Sequence, residues 1–76
     1  MTEELVKICD EYLDRFLSSD LVLIKIKDEN YPLNSLKRVL LSRIKERELE
    51  YLTAYTFLNE LYLQFKIIDT GFGMEI

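Results

Sequence analysis

Chemistry in a protein needs a nucleophile, a base or a cage of metal ligands, and this sequence is short of all three. None of its 76 residues is histidine, which removes the commonest general base and metal ligand. Its serines therefore lack the imidazole that activates a hydroxyl for acyl transfer. Cys9 is the single cysteine, so no internal disulfide framework or Cys-based zinc site is expected. It falls on the apolar stripe of a helical pattern, the place of a small core filler rather than a reactive thiol. Asp10 and Asp14 lie one helical turn apart, but Lys7 and Arg15 beside them mark a solvated face. Gly71-Phe72-Gly73 superficially suggests a phosphate loop, yet no helical pattern follows it. Neither a P-loop nor a dinucleotide fingerprint nor a calcium loop is present. The expectation is a protein that is not an enzyme, with no catalytic, metal or cofactor-binding residues, no cofactor and no small-molecule substrate.

Binding is better supported than catalysis. The formal net charge is −4, but it is unevenly spread. Residues 1–20 carry six acids and two bases, residues 21–47 three acids and seven bases, and residues 48–76 five acids and one base. A basic segment therefore sits inside an acidic chain. It contains Lys25 and Lys27 on a strand, and Lys37, Arg38, Arg43, Lys45 and Arg47 on a helix. A helix face of this kind can contact phosphates and enter a major groove. Against that, nucleic-acid domains usually show a strong basic excess, and the pI here is about 4.7.

These side chains are positioned by five elements. Leu5, Ile8, Cys9, Tyr12, Leu13, Phe16 and Leu17 recur with helical spacing over residues 3–18. Thr2 suits the N-cap, and Glu3 and Glu4 suit the positive end of the dipole. Residues 21–27 alternate as a strand, with Val22, Ile24 and Ile26 on one side and Leu23, Lys25 and Lys27 on the other. Asp28 to Pro32 interrupts the pattern. A second helix is expected over residues 35–47, capped by Asn34 or Ser35, burying Leu36, Val39, Leu40 and Ile44.

Residues 50–68 fit either a helix or a hairpin turning at Asn59-Glu60. The hairpin is favoured because Tyr, Thr, Phe and Ile prefer strands. The strand at 21–27 also needs a hydrogen-bonding partner. Leu52, Ala54, Thr56 and Leu58 then face inward beside Leu61, Leu63, Phe65 and Ile67. The expected fold is a two-layer α+β domain of order α-β-α-β-β, a three-stranded sheet with two helices on one face. The alternative is a mostly helical protein that dimerises through the strand at 21–27. Residues 1–68 form one domain, and residues 69–76 read as a flexible C-terminal tail.

The outer sheet face would then carry Leu23, Lys25, Lys27, Thr53, Tyr55, Phe57, Tyr62, Gln64 and Lys66. Aromatics of this kind are typical of protein interfaces, and set between lysines they also suit stacking on single-stranded bases. Phe72 and Met74 alternate in the tail and could add an edge strand to this or another sheet. The functional expectation is a small intracellular binding module, a protein-interaction or accessory subunit in the cytoplasm, using Tyr55, Phe57, Tyr62, Lys66, Phe72 and Met74. Its partner is another protein or, in a homodimer, itself. The second expectation is a nucleic-acid-binding regulator using the basic residues above. No apolar run approaches the roughly 20 residues of a membrane span, so no membrane is expected. The richness in Lys, Glu, Ile and Tyr resembles thermophile composition.

Overall fold

The computed structural model describes residues 2–66. The element order is α1 (Glu3–Leu17), β1 (Leu23–Ile26), α2 (Leu33–Glu46), β2 (Leu52–Phe57) and β3 (Glu60–Phe65), an α+β fold as the sequence predicts. The sheet order is β1-β3-β2, with both pairings antiparallel.

α1 begins where its cap requires. Thr2 is extended, and its Oγ1 accepts from the Leu5 N–H at 3.2 Å. The helix ends because Ser18 and Ser19 turn their hydroxyls back onto the carbonyls of Arg15 and Phe16. Such local bonds compete with helix continuation. Ser19 Oγ also accepts from the Leu21 N–H, and the Lys27 carbonyl accepts the Tyr12 hydroxyl at 2.6 Å. Regular strand is therefore confined to Leu23–Ile26, shorter than residues 21–27, although the Val22 carbonyl still accepts from the Phe65 N–H.

α2 starts at Leu33, earlier than the sequence predicts, and neither Asn34 nor Ser35 caps it. Pro32 is the N-cap, at φ −64° and without a side-chain bond. Its carbonyl takes the N–H groups of both Ser35 and Leu36, and Leu33 joins the margin of the core. At the other end Glu48 adopts φ 55°. Its N–H reaches the Lys45 carbonyl, and the Leu49 N–H reaches Ile44. This is a Schellman ending with glutamate where glycine is usual, stabilised by the apolar pair Ile44 and Leu49.

The hairpin turns one residue earlier than expected. Leu58 (φ 52°) and Asn59 (φ 66°) are the two central residues, and Phe57 pairs with Glu60. Two successive positive φ values define a type I′ turn. Leu58 therefore does not face inward: it is 80% exposed. Thr56, also expected to face inward, is exposed beside the turn. Leu52, Ala54, Leu61 and Leu63 are buried as the sequence predicts and Phe65 is half-buried, while Ile67 lies outside the described residues.

The core lies between the sheet and both helices. α1 contributes Leu5, Cys9, Leu13 and Phe16, and α2 contributes Leu36, Val39, Leu40 and Ile44. The Phe16 ring sits 5.0 Å from that of Phe65, which ties the end of α1 to the central strand. Both helices occupy this one face.

Candidate interaction surface

The opposite face of the sheet has no helix over it among the described residues. The register sets Leu23 beside Gln64 and Thr53, and Lys25 beside Tyr62 and Tyr55. These rows are the outward half of the alternation that buries Ile26, Leu61 and Leu63. Tyr55 and Tyr62 stack with centroids 5.6 Å apart and 28° between planes. Each is half-buried by its neighbours.

Polar groups on this face bind one another. The Tyr55 hydroxyl donates to Gln64 Oε1. The Tyr62 hydroxyl donates to Glu60 Oε1 at 2.8 Å, and Lys25 Nζ donates to Oε2 of the same carboxylate at 3.3 Å. Glu60 thus joins β1 to β3. From the sequence Glu60 is expected in the turn; because the turn forms one residue earlier, Glu60 falls two positions before Tyr62 on the same face.

The hydrogen bond from Tyr62, then that from Lys25, holds the Glu60 carboxyl below its ordinary value of 4.5. The same bond, reinforced by burial, holds the Tyr62 hydroxyl above 10.0. The signs follow. Glu60's lowered value contributes stability above pH ~4.5 that is lost as pH falls through the lowered value. Tyr62's raised value contributes stability below pH ~10 that is lost as pH rises through the raised value. We expect Glu60→Ala to bring one tyrosine ionisation back toward 10 in an ultraviolet titration. An unchanged titration curve would refute this network.

Large apolar side chains are exposed mainly on this layer. Among the described residues seven are exposed: Leu21, Val22, Leu23, Tyr51, Phe57, Leu58 and Leu41. Only Leu41 lies on a helix; the other six belong to the strands or to the segments leading into them. Phe57 and Leu58 form the hairpin tip, and Leu21 to Leu23 lie at the far end of the sheet. An open groove of about 790 Å3 runs between the tip and the loop after β1, lined by Lys25, Lys27, Asp28, Asn30, Asn59 and Glu60 among others. Lys27 and Lys66 are exposed at the two ends of the sheet. Phe72 and Met74 lie outside the described residues, as does the tail that carries them.

The basic helix divides in two. Arg43 Nε reaches Asp10 Oδ1 at 3.1 Å, and Arg47 reaches Asp10 at 3.5 Å and Asp14 at 2.7 Å. The hydrogen bond that Arg47 donates to Asp14 is the main cause raising the guanidinium above its ordinary value. These arginines clamp α2 to α1. Arg38 and Lys45 point to solvent, with Lys37 half-buried beside them, and none of the three forms an ion pair among the described residues.

Cys9 is fully buried, with Sγ directed at the Leu36 carbonyl at 3.8 Å. Burial, then Asp10 and Asp28, pushes its thiol up to about 11, so it is held protonated and unreactive. Among the described residues no group of three or more His, Cys, Asp or Glu is placed to hold a metal ion. No helix there is long and apolar enough to cross a membrane. Comparison with protein-family models, with curated proteins and with solved structures finds no match.

Proposed function

We propose that this protein is a small non-enzymatic binding module, an accessory subunit of the cytoplasm, that engages another protein or a second copy of itself through its sheet layer. One observation carries the reading: six of the seven exposed large apolar side chains belong to that layer. Exposed apolar side chains gathered in one layer of a small domain, at both ends of its sheet, suit a contact site. Tyr55 and Tyr62 contribute rigid area at its centre, and Phe57 stands free at its margin. A second reading has its own observation. Asn34, Arg38, Leu41, Ser42 and Lys45 share one exposed face of α2 without an acid among them, a surface that suits phosphates.

A photo-activated benzoylphenylalanine placed singly at Leu23, Phe57, Arg38 and Glu11 in producing cells tests both. The sheet positions 23 and 57 are expected to give discrete protein adducts, and position 11 none. Absence of adducts at both sheet positions, or adducts to nucleic acid from position 38 alone, would overturn the protein-binding reading.

A further inference from the structure

We propose that two copies of this chain pair through β1, antiparallel about a two-fold axis at Ile24, into one continuous six-stranded sheet. The inference rests on the protein-binding reading and names its partner.

The two sheet edges differ. At β2, Leu52 and Ala54 are only 1% and 3% exposed beneath α2, and the Leu52 N–H is already taken by the Leu49 carbonyl. That edge is closed along Leu52 and Ala54, and Thr56 beyond them is exposed. At β1 the Val22 carbonyl accepts from Phe65, so by antiparallel alternation Val22, Ile24 and Ile26 direct their backbone groups at β3. The N–H and C=O groups of Leu23 and Lys25 therefore point away from the sheet. Both residues are exposed. This open edge follows directly on Leu21 and Val22, which are 54% and 67% exposed, and Leu23 is 43% exposed. Consecutive apolar residues in water beside an unpaired ladder call for a strand to cover them.

A second β1 meets that need. With the axis at Ile24, Leu23 lies opposite the partner's Lys25, and Val22 lies opposite the partner's Ile26. Four backbone hydrogen bonds form, using all the free groups of Leu23 and Lys25. No like charges face each other, and each lysine stem lies along a leucine. Neighbouring registers are poorer. An axis at Lys25 sets the two lysines against each other, which is destabilising. An axis at Leu23 needs the Leu21 N–H, which Ser19 Oγ already holds at 3.2 Å.

The test is the sign of a charge. Leu23→Lys faces the partner's Lys25, whereas Leu23→Glu faces it with the opposite sign. Either substitution removes the same exposed leucine. Sedimentation equilibrium is expected to show a dimer for the native chain and for L23E, with a dissociation constant raised roughly tenfold or more for L23K. Circular dichroism confirms that each variant is folded; if L23K is unfolded, Leu23→Arg replaces it. Equal weakening by both charges overturns the proposed register, since a general loss of apolar surface would act this way. A native chain that is monomeric at high micromolar concentration overturns the dimer. In that case protein adducts from position 57 would still support the broader reading, and their absence would remove it too.

Discussion

Phe16→Ala is expected to leave most of the chain unfolded at room temperature. Phe16 is 1% exposed and is the largest fully buried side chain in the described residues. Its ring, 5.0 Å from Phe65, links the last turn of α1 to the central strand. Removing a buried phenylalanine ring costs about 3–5 kcal/mol, from lost transfer free energy and from the cavity left behind. A core in a chain of this length rarely supplies more than ~3–5 kcal/mol in all. The two quantities are equal in size, so the single substitution removes most of the margin. Urea unfolding followed by circular dichroism should show a lost or strongly shifted cooperative transition. A variant that keeps the native midpoint would mean that Phe16 is not the anchor of α1.

The opposite effect is expected at the hairpin tip. Leu58 occupies the left-handed region at φ 52°, where a Cβ costs roughly 1–2 kcal/mol. Its side chain gains nothing in return, being 80% exposed. Leu58→Asn with Asn59→Gly installs the pair that type I′ turns favour most. The double variant should gain about 1–2 kcal/mol, which for a domain of this size raises Tm by roughly 4–8 °C per kcal/mol. Leu58→Ile, β-branched at the same φ, should lower it. Because the tip lies at the end of the sheet away from Leu23, neither change should alter association through β1. If the double variant melts no higher than the native protein, the turn is not strained in solution.

The parts of this fold legible in the sequence were those governed by local rules. α1 follows from seven apolar residues at helical spacing and a threonine cap, and it is present over Glu3–Leu17. The ambiguous segment after residue 50 is legible through its strand-preferring Tyr, Thr, Phe and Ile and through β1, whose backbone groups require a partner. Boundaries were less accessible. Nothing in Leu58-Asn59-Glu60 favours Leu58 in a turn, so the residue types point to a turn one residue later than the one formed. Pro32 started α2 through its fixed φ and its carbonyl, without the side-chain cap that the expectation relied on.

The candidate surface was legible in part. Alternation placed Lys25, Tyr55, Tyr62 and Gln64 on one face. The partition of the basic helix was hidden, because Arg43 and Asp10 are 33 positions apart and no local pattern reports which helices are neighbours. Val22 alternates with Ile24 and Ile26 in the sequence, yet it is 67% exposed while Ile26 is buried: alternation gives the face, not the edge at which the core ends.

The sheet order β1-β3-β2 also determines when the molecule can be completed. The middle strand is the last of the three along the chain. While the polypeptide is being made from its N-terminus, β1 and β2 have nothing to pair with until Glu60–Phe65 has emerged. Before that point α1 and α2 can be held together by Arg43, Arg47, Asp10 and Asp14, but Ile26, Leu52 and Ala54 have no neighbouring strand. The ladder pairs that close the domain, such as Leu23 with Gln64, span much of the chain. Such distant pairings form slowly. A growing chain therefore carries β1 unpaired while α2 and β2 are made, and folding of the sheet begins only once Glu60–Phe65 has emerged.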